Sequence, residues 1–167
     1  MVKILFSLMV FIPCFAYGYF KNAKLKERCF KLLCLENAFE KIKSSVIARD
    51  ISVLEAVKSV NTSSEAVNLL FEKAGEKLEH TWDTPVSVSY AFENFSPFLL
   101  NTERAEIVSL FKDIGKGDKD TEKAIYERIT VLIKGYYSDA QSEYAKKSRL
   151  TTSVSVMMGI SAVILLW

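Results

Sequence analysis

The stretch LKERCFKLLCLENAFEKIKSSV, residues 25–46, decides how this chain folds. Its apolar side chains fall at Leu25, Cys29, Leu32, Leu35, Phe39, Ile42 and Val46. The steps alternate between three and four residues, which puts all seven on one stripe of an α-helix. Lys24, Glu27, Lys31, Glu36, Glu40 and Lys43 occupy the other faces. Nothing between this stretch and the uncharged run before it breaks a helix, so the two are expected to be continuous.

That run, Ile4 to Phe20, carries no charge, and neither does Leu150 to Trp167 at the other end. Between them lie all 20 acidic side chains and every one of the 22 basic ones except Lys3. As helices the two runs span roughly 25 and 27 Å, slightly short of a hydrocarbon core. Tyr17, Tyr19, Phe20 and Trp167 suit the interface and cover the deficit. Pro13 is tolerable in a membrane helix as a mild kink. The expected layout is a transmembrane helix over residues 1–20, an α-helical domain over 21–149 and a second transmembrane helix over 150–167. A basic collar of Lys21, Lys24, Lys26, Arg28, Lys146, Lys147 and Arg149 flanks the two runs on the domain side. By the positive-inside rule it places the domain in the cytoplasm, and it suits anionic lipids. The competing reading is a cleaved signal peptide ending near Ala16-Tyr17-Gly18. It leaves the domain outside, with Lys146, Lys147 and Arg149 on the wrong side of the remaining anchor. A lipoprotein reading at Cys14 is weaker still, because Pro13 and no small residue precedes it.

The rest of the middle also reads as helices. Ser52 with Glu55, and Thr62 with Glu65, form capping boxes. The first precedes a short apolar face of Val53, Ala56, Val57 and Val60; the second precedes Val67, Leu70, Phe71, Ala74 and Leu78, with Gly75 as a weak point. Thr84-Pro85 suits an N-cap with proline in the first turn. Val86, Val88 and Tyr90 alternate as in a strand, but no partner strand is evident, so a helix is expected. Ser96-Pro97 breaks the chain. A further helix starts at Asn101 or Thr102, with Glu103 and Glu106 near its positive end and Ile107, Leu110, Phe111 and Ile114 inward. Gly115 ends it and Asp118 caps the next. That last helix carries Ile125, Ile129, Leu132, Tyr136 and Ala140 on one face and runs into the C-terminal span, a rod of roughly 70 Å from Lys119. The fold class is all-α: an antiparallel helical bundle of about six helices flanked by two transmembrane helices.

Catalytic chemistry is not visible. The domain's charges nearly balance, so bulk charge does not point to nucleic acid. Cys14, Cys29 and Cys34 form no disulfide framework and suit a reducing compartment. His80 is the single histidine; its neighbours Glu79 and Asp83 are read as a solvated helix end. No zinc pattern or nucleophile elbow is present. Gly115-Lys116-Gly117 lacks the spacing of a phosphate loop. No enzyme activity, cofactor, metal, nucleic acid or small-molecule substrate is expected. The polar turn Gly115, Lys116, Gly117, Asp118, Lys119 and Asp120 is the candidate place for a docking partner.

Several segments together resemble the stage III sporulation protein AB family. They are Arg28-Cys29-Phe30-Lys31-Leu32-Leu33-Cys34-Leu35 with Phe39; Val53-Leu54-Glu55-Ala56-Val57; Leu110 through Asp118; and Ala140 to Leu150 followed by Gly159 and Val163-Ile164-Leu165-Leu166. The likeness spans essentially the whole chain. It departs at Gly117, where the family usually has serine, at Glu122 in place of glutamine, at Ser45-Val46, and near Ser52, where proline is common. The resemblance implies a cytoplasmic helical domain similar to the platform subunit of type II secretion and type IV pilus machines. It implies a multi-pass membrane protein on the mother-cell side of the outer forespore membrane. Its implied partners are a secretion-ATPase-like protein and the other subunits of the mother cell–forespore channel. The expected function is thus a non-catalytic membrane platform. The alternative is a membrane-tethered helical regulator that sequesters a partner helix in a groove.

Overall fold

The structure is a computed structural model. It describes the backbone of residues 2–114 and 119–166, with side chains for 16–114, 120–161 and 164 together with Met9, Ile12 and Pro13. Among these residues there is no strand. Six α-helices follow one another: α1 Val2–Lys43, α2 Val53–Lys58, α3 Glu65–Thr81, α4 Thr84–Phe95, α5 Asn101–Phe111 and α6 Lys119–Leu166. A π-helical turn, Ser44–Ala48, closes α1. As expected, the first and last helices run on into the uncharged ends. The chain divides into two compact units: Phe30–Tyr137, and Met1–Cys29 with Ser138–Trp167.

In the Phe30–Tyr137 unit the stripe read from residues 25–46 forms the centre. Leu32, Leu35, Phe39 and Ile42 are buried, whereas Cys29 and Val46 are half-buried. Phe39 gathers three other phenylalanines, with ring centroids 5.5 Å away for Phe71 on α3, 6.2 Å for Phe92 on α4 and 5.7 Å for Phe111 on α5. Four helices thus meet on one side chain, each ring removing on the order of 150–250 Å² from water. Short connections make α2, α3, α4 and α5 successive neighbours. The Thr81 hydroxyl lies 2.8 Å from that of Ser87, and Lys77 Nζ sits 5.3 Å from the Tyr90 ring centre. These two contacts step in opposite directions along α3 and α4, so the pair is antiparallel.

α4 settles the helix-or-strand question by burial. Ser87, Val88, Ala91 and Phe92 are buried while Val86 is exposed, a period of three to four and not two. Its cap lies one residue earlier than expected: Asp83 Oδ1, not Thr84, accepts from Val86 N–H at 3.0 Å. Ser52 caps α2 as expected, its Oγ accepting from Glu55 N–H at 3.2 Å. The second expected capping box does not form. α3 starts at Glu65 behind Ser64, and Thr62 instead bonds Asn68 through its N–H at 2.8 Å, its hydroxyl at 2.7 Å and its carbonyl at 2.9 Å. An asparagine amide one turn inside the helix offers both a donor and an acceptor, and outcompetes the single hydroxyl bond of a cap.

Three further expectations are corrected. α5 ends at Phe111, so Ile114 is buried from a turn and not from a helix. The expected stripe of α6 is buried at Ile125, Ile129 and Ala140 but only half-buried at Leu132 and Tyr136, and Tyr126, Thr130 and Ile133 turn inward in their place. Gly75 is a packing feature: a Cβ there would lie 3.3 Å from Lys58 Cγ and 3.7 Å from Val57 Cγ1, so its bareness admits α2 against α3. Arg104 ties the Ser96 break to α5, its Nε donating to Ser96 Oγ at 3.1 Å and its NH2 to Ser96 O at 3.0 Å.

Candidate membrane interface

The second unit contains the N-terminal part of α1 and the C-terminal part of α6. Gly18 faces Ser155, Asn22 faces Ser148 and Thr152, and Arg28 faces Glu143. Residue numbers rise on one helix as they fall on the other, so the two helices form an antiparallel pair. The contact is made by small and hydrogen-bonding residues. A Cβ on Gly18 would lie 2.5 Å from Ser155 Oγ, and Gly18, Ser155 and Gly159 are all buried. Asn22 Nδ2 donates to Thr152 Oγ1 at 3.1 Å.

The large apolar side chains point the other way. Met9 is 71 % exposed, Met157 70 % and Ile164 68 %, and Ile12, Tyr17, Tyr19, Phe20, Leu150, Val154, Met158 and Ile160 are exposed with them. A two-helix pair in water buries such groups, because each is worth roughly 1.5–3 kcal/mol on burial. Among the described residues of this pair, Gly18, Ser155 and Gly159 are inside and the large apolar side chains named above are outside. Among the described residues no helix is long and apolar enough to cross a membrane. Most side chains of residues 2–15 and 162–167 lie outside the described residues, Cys14 and Trp167 among them, so the two expected spans fall partly outside what is described.

The antiparallel register brings the basic collar together from its two separate runs. Lys21, Lys24, Lys26 and Arg28 on α1 lie at the level of Lys146, Lys147 and Arg149 on α6, with the Asn22–Ser148 and Arg28–Glu143 contacts between them. Lys21 Nζ stands 5.8 Å over the Tyr17 ring. Arg28 is part-buried and pairs with Glu143 at 3.3 Å; Lys147 bonds the same carboxylate. The Lys147 hydrogen bond chiefly, with the charges of Lys147 and Arg28, outweighs desolvation and holds the Glu143 carboxyl below its usual range. The remaining five cations are exposed.

The expected docking turn is only partly visible. Gly115, Lys116, Gly117 and Asp118 lie outside the described residues; Lys119 opens α6, and Asp120 is exposed on its first turn. Sequence reading missed a polar cleft of about 950 Å³ beside the π-helical turn, whose lining includes Asn37, Lys41, Ser44, Arg49, Asn61 and Ser63. Lys41 Nζ crosses part of it to donate to Asn61 O at 2.9 Å. The only sequence signal for it was a serine pair following a helical stripe.

The His80 neighbourhood is dispersed. Glu79 is engaged by Lys58, which lowers its carboxyl pKa through that hydrogen bond, Asp83 caps α4, and His80 is exposed. Burial raises both the Cys29 and Cys34 thiols above their ordinary value. Among the described residues no group of three or more His, Cys, Asp or Glu could hold a metal ion. The apolar cavity at the four-phenylalanine centre amounts to about 20 Å³.

A family model described as stage III sporulation protein AB matches residues 3–167. The chain belongs to the stage III sporulation protein AB family. Membership covers both units and carries with it a role in sporulation. Neither the curated proteins nor the solved structures offer a match.

Proposed function

We propose that this member of the stage III sporulation protein AB family is a non-catalytic membrane platform, anchored by its helix pair and presenting its Phe30–Tyr137 unit to partners in the cytoplasm. The observation that carries the reading is the inside-out packing of the helix pair. Outward methionines and isoleucines suit lipid, while glycine, serine and an interhelical Asn22–Thr152 bond are what holds helices together when the hydrophobic effect does not. The gathered collar suits the anionic surface of a cytoplasmic leaflet. The partners on this reading are a secretion-ATPase-like protein and other subunits of a channel between mother cell and forespore, docked through the polar cleft beside the π-helical turn. Exposed amide, hydroxyl and guanidinium groups at Asn37, Ser44 and Arg49 make that cleft a surface for polar recognition.

The test uses the full chain in membranes. The chain is expected to stay in the pellet on carbonate extraction and to co-purify with the cognate ATPase-like protein, with Arg49→Glu reducing recovery. Release into the supernatant would overturn the anchor, and failure of the ATPase-like protein to co-purify would overturn the platform. No observation favours the groove-sequestration alternative. The apolar stripes of the described helices close on one another around a cavity of about 20 Å³, too small to admit a helix.

A further inference from the structure

The polar cleft of about 950 Å³ beside the π-helical turn carries uncommitted charge of one sign. Lys41 and Arg49 are its two lining cations. Lys41 Nζ donates one of its three hydrogens to Asn61 O at 2.9 Å, which leaves two. The exposed Arg49 guanidinium has no partner among the described residues. Glu40, the one carboxylate of the lining, is already held by Lys43 at 3.0 Å. A cleft lined by one sign of charge focuses the field within it, so an anion is favoured here. Around the two cations the side chains of Asn37, Ser44 and Ser45, and of Asn61 and Ser63 on the connection from α2 to α3, make no hydrogen bond to another described residue. Each of these groups can both donate and accept.

The lining narrows the choice of anion. None of its residues is aromatic, so a nucleotide base has no ring to stack on. Lys41 belongs to α1 and Arg49 follows the π-helical turn, so two separate cations call for more than one anionic group. Amides and hydroxyls from two parts of the chain suit a backbone whose own N–H and C=O groups are unpaired, which is that of an extended segment and not of a helix. The local backbone is also unusual. Ile51 N–H closes the π-helical turn on Ser45 O at 3.2 Å, and Asp50, next to Arg49, is left-handed with φ 57°. Departures of this kind gather at functional sites. We propose that the cleft seats an extended acidic segment of a partner protein, its carboxylates on Arg49 and Lys41 and its backbone between the Asn37 and Asn61 amides. The inference rests on the cleft being the docking surface and adds the chemistry of what docks there.

A fluorescein-labelled octapeptide of alternating glutamate and serine tests this, with the glutamine–serine and lysine–serine peptides as controls. Anisotropy reads binding to the full chain in phosphatidylcholine nanodiscs. The glutamate peptide is expected to bind about tenfold more tightly than the glutamine peptide, the worth of two solvent-screened charge pairs. Arg49→Gln and Lys41→Gln should each lower that preference about threefold. Lys41→Glu combined with Arg49→Glu should turn the preference to the lysine peptide, a result that mere loss of folding does not give. Lys24→Gln combined with Lys26→Gln, in the basic collar, should leave the preference unchanged. Equal binding of the glutamate and glutamine peptides, or a preference that follows the collar substitutions and not those in the cleft, would overturn the acidic-segment site. Displacement by inorganic phosphate at matched anion concentration would reassign the cleft to a free anion and overturn the peptide assignment. A chain that co-purifies with the ATPase-like protein yet does not discriminate among the peptides sinks this inference alone. One that discriminates but retrieves no ATPase-like protein sinks the platform partner and leaves the acidic-segment site standing.

Discussion

Trp82 bears two costs at once. Its backbone is left-handed, with φ 53°, and its side chain is 78 % exposed at the end of α3. An L-residue in that region costs about 1–2 kcal/mol relative to glycine, and little burial offsets it here. Trp82→Gly is expected to stabilise the protein by about 1 kcal/mol, read as a rise in midpoint of about 2–4 °C in thermal unfolding. Tyr136 illustrates a different residue-level balance. Burial first, then its hydrogen bond to Glu106 and the charges of Glu106 and Glu103, push its phenol well above the ordinary value of 10.0. The folded state therefore holds that proton more tightly than the unfolded chain. Its contribution is complete below pH 10 and is lost as pH rises beyond it. Tyr136→Phe should cost about 1 kcal/mol at neutral pH, and urea titrations above pH 10 should show a shallower fall in stability than the parent. Of these features the sequence announced only single side chains, such as Ser52 as a cap; a left-handed tryptophan leaves no trace in periodicity.

Between elements, bareness and bulk decide. Gly75 reads in sequence as a flaw in α3, because glycine costs a helix interior about 1 kcal/mol relative to alanine. In the fold it lies against Lys58 and Val57 of α2. Gly75→Ala trades a gain in helix propensity against a 3.3 Å contact with a flexible side chain and is expected to be nearly neutral. Gly75→Leu forces α2 away and should destabilise by about 1–3 kcal/mol in denaturant titration. Phe39 is the opposite case, a ring on which α1, α3, α4 and α5 all converge. Phe39→Ala should cost about 3–5 kcal/mol, enough to unfold a marginal domain, and amide exchange in α3, α4 and α5 should accelerate together. The stripe containing Phe39 was legible from spacing alone. That Phe71, Phe92 and Phe111 share its pocket was not, since spacing within one helix says nothing of which partner it meets.

For the whole molecule, the sequence-derived topology has a direct measurement. In a chain whose three native cysteines are replaced, a cysteine at exposed Ser63 is expected to resist a membrane-impermeant maleimide in intact cells and to react after lysis. Labelling in intact cells would place the Phe30–Tyr137 unit outside and remove the cytoplasmic platform. The basic collar makes this expectation specific. Its two runs are separated by most of the chain, yet the antiparallel register of α1 and α6 sets them at one level. Like signs gathered there repel one another, and Glu143 offsets that repulsion at Arg28 and Lys147.

What the sequence by itself determined was local: that the chain is helical, that the helices are punctuated at Ser52 and Ser96-Pro97, that the ends are uncharged, and that the first and last helices run into them. Helix period, breaker residues and charge runs are properties of neighbours along the chain, so they can be read without a fold. The tertiary structure alone decided which Asn22 atom is left unpaired, why Gly18 and Gly75 lack side chains, where the caps fall, and which face of α6 turns inward. Each of these depends on an atom from a distant part of the chain arriving within a few ångströms, and no pattern within a single helix encodes that arrival.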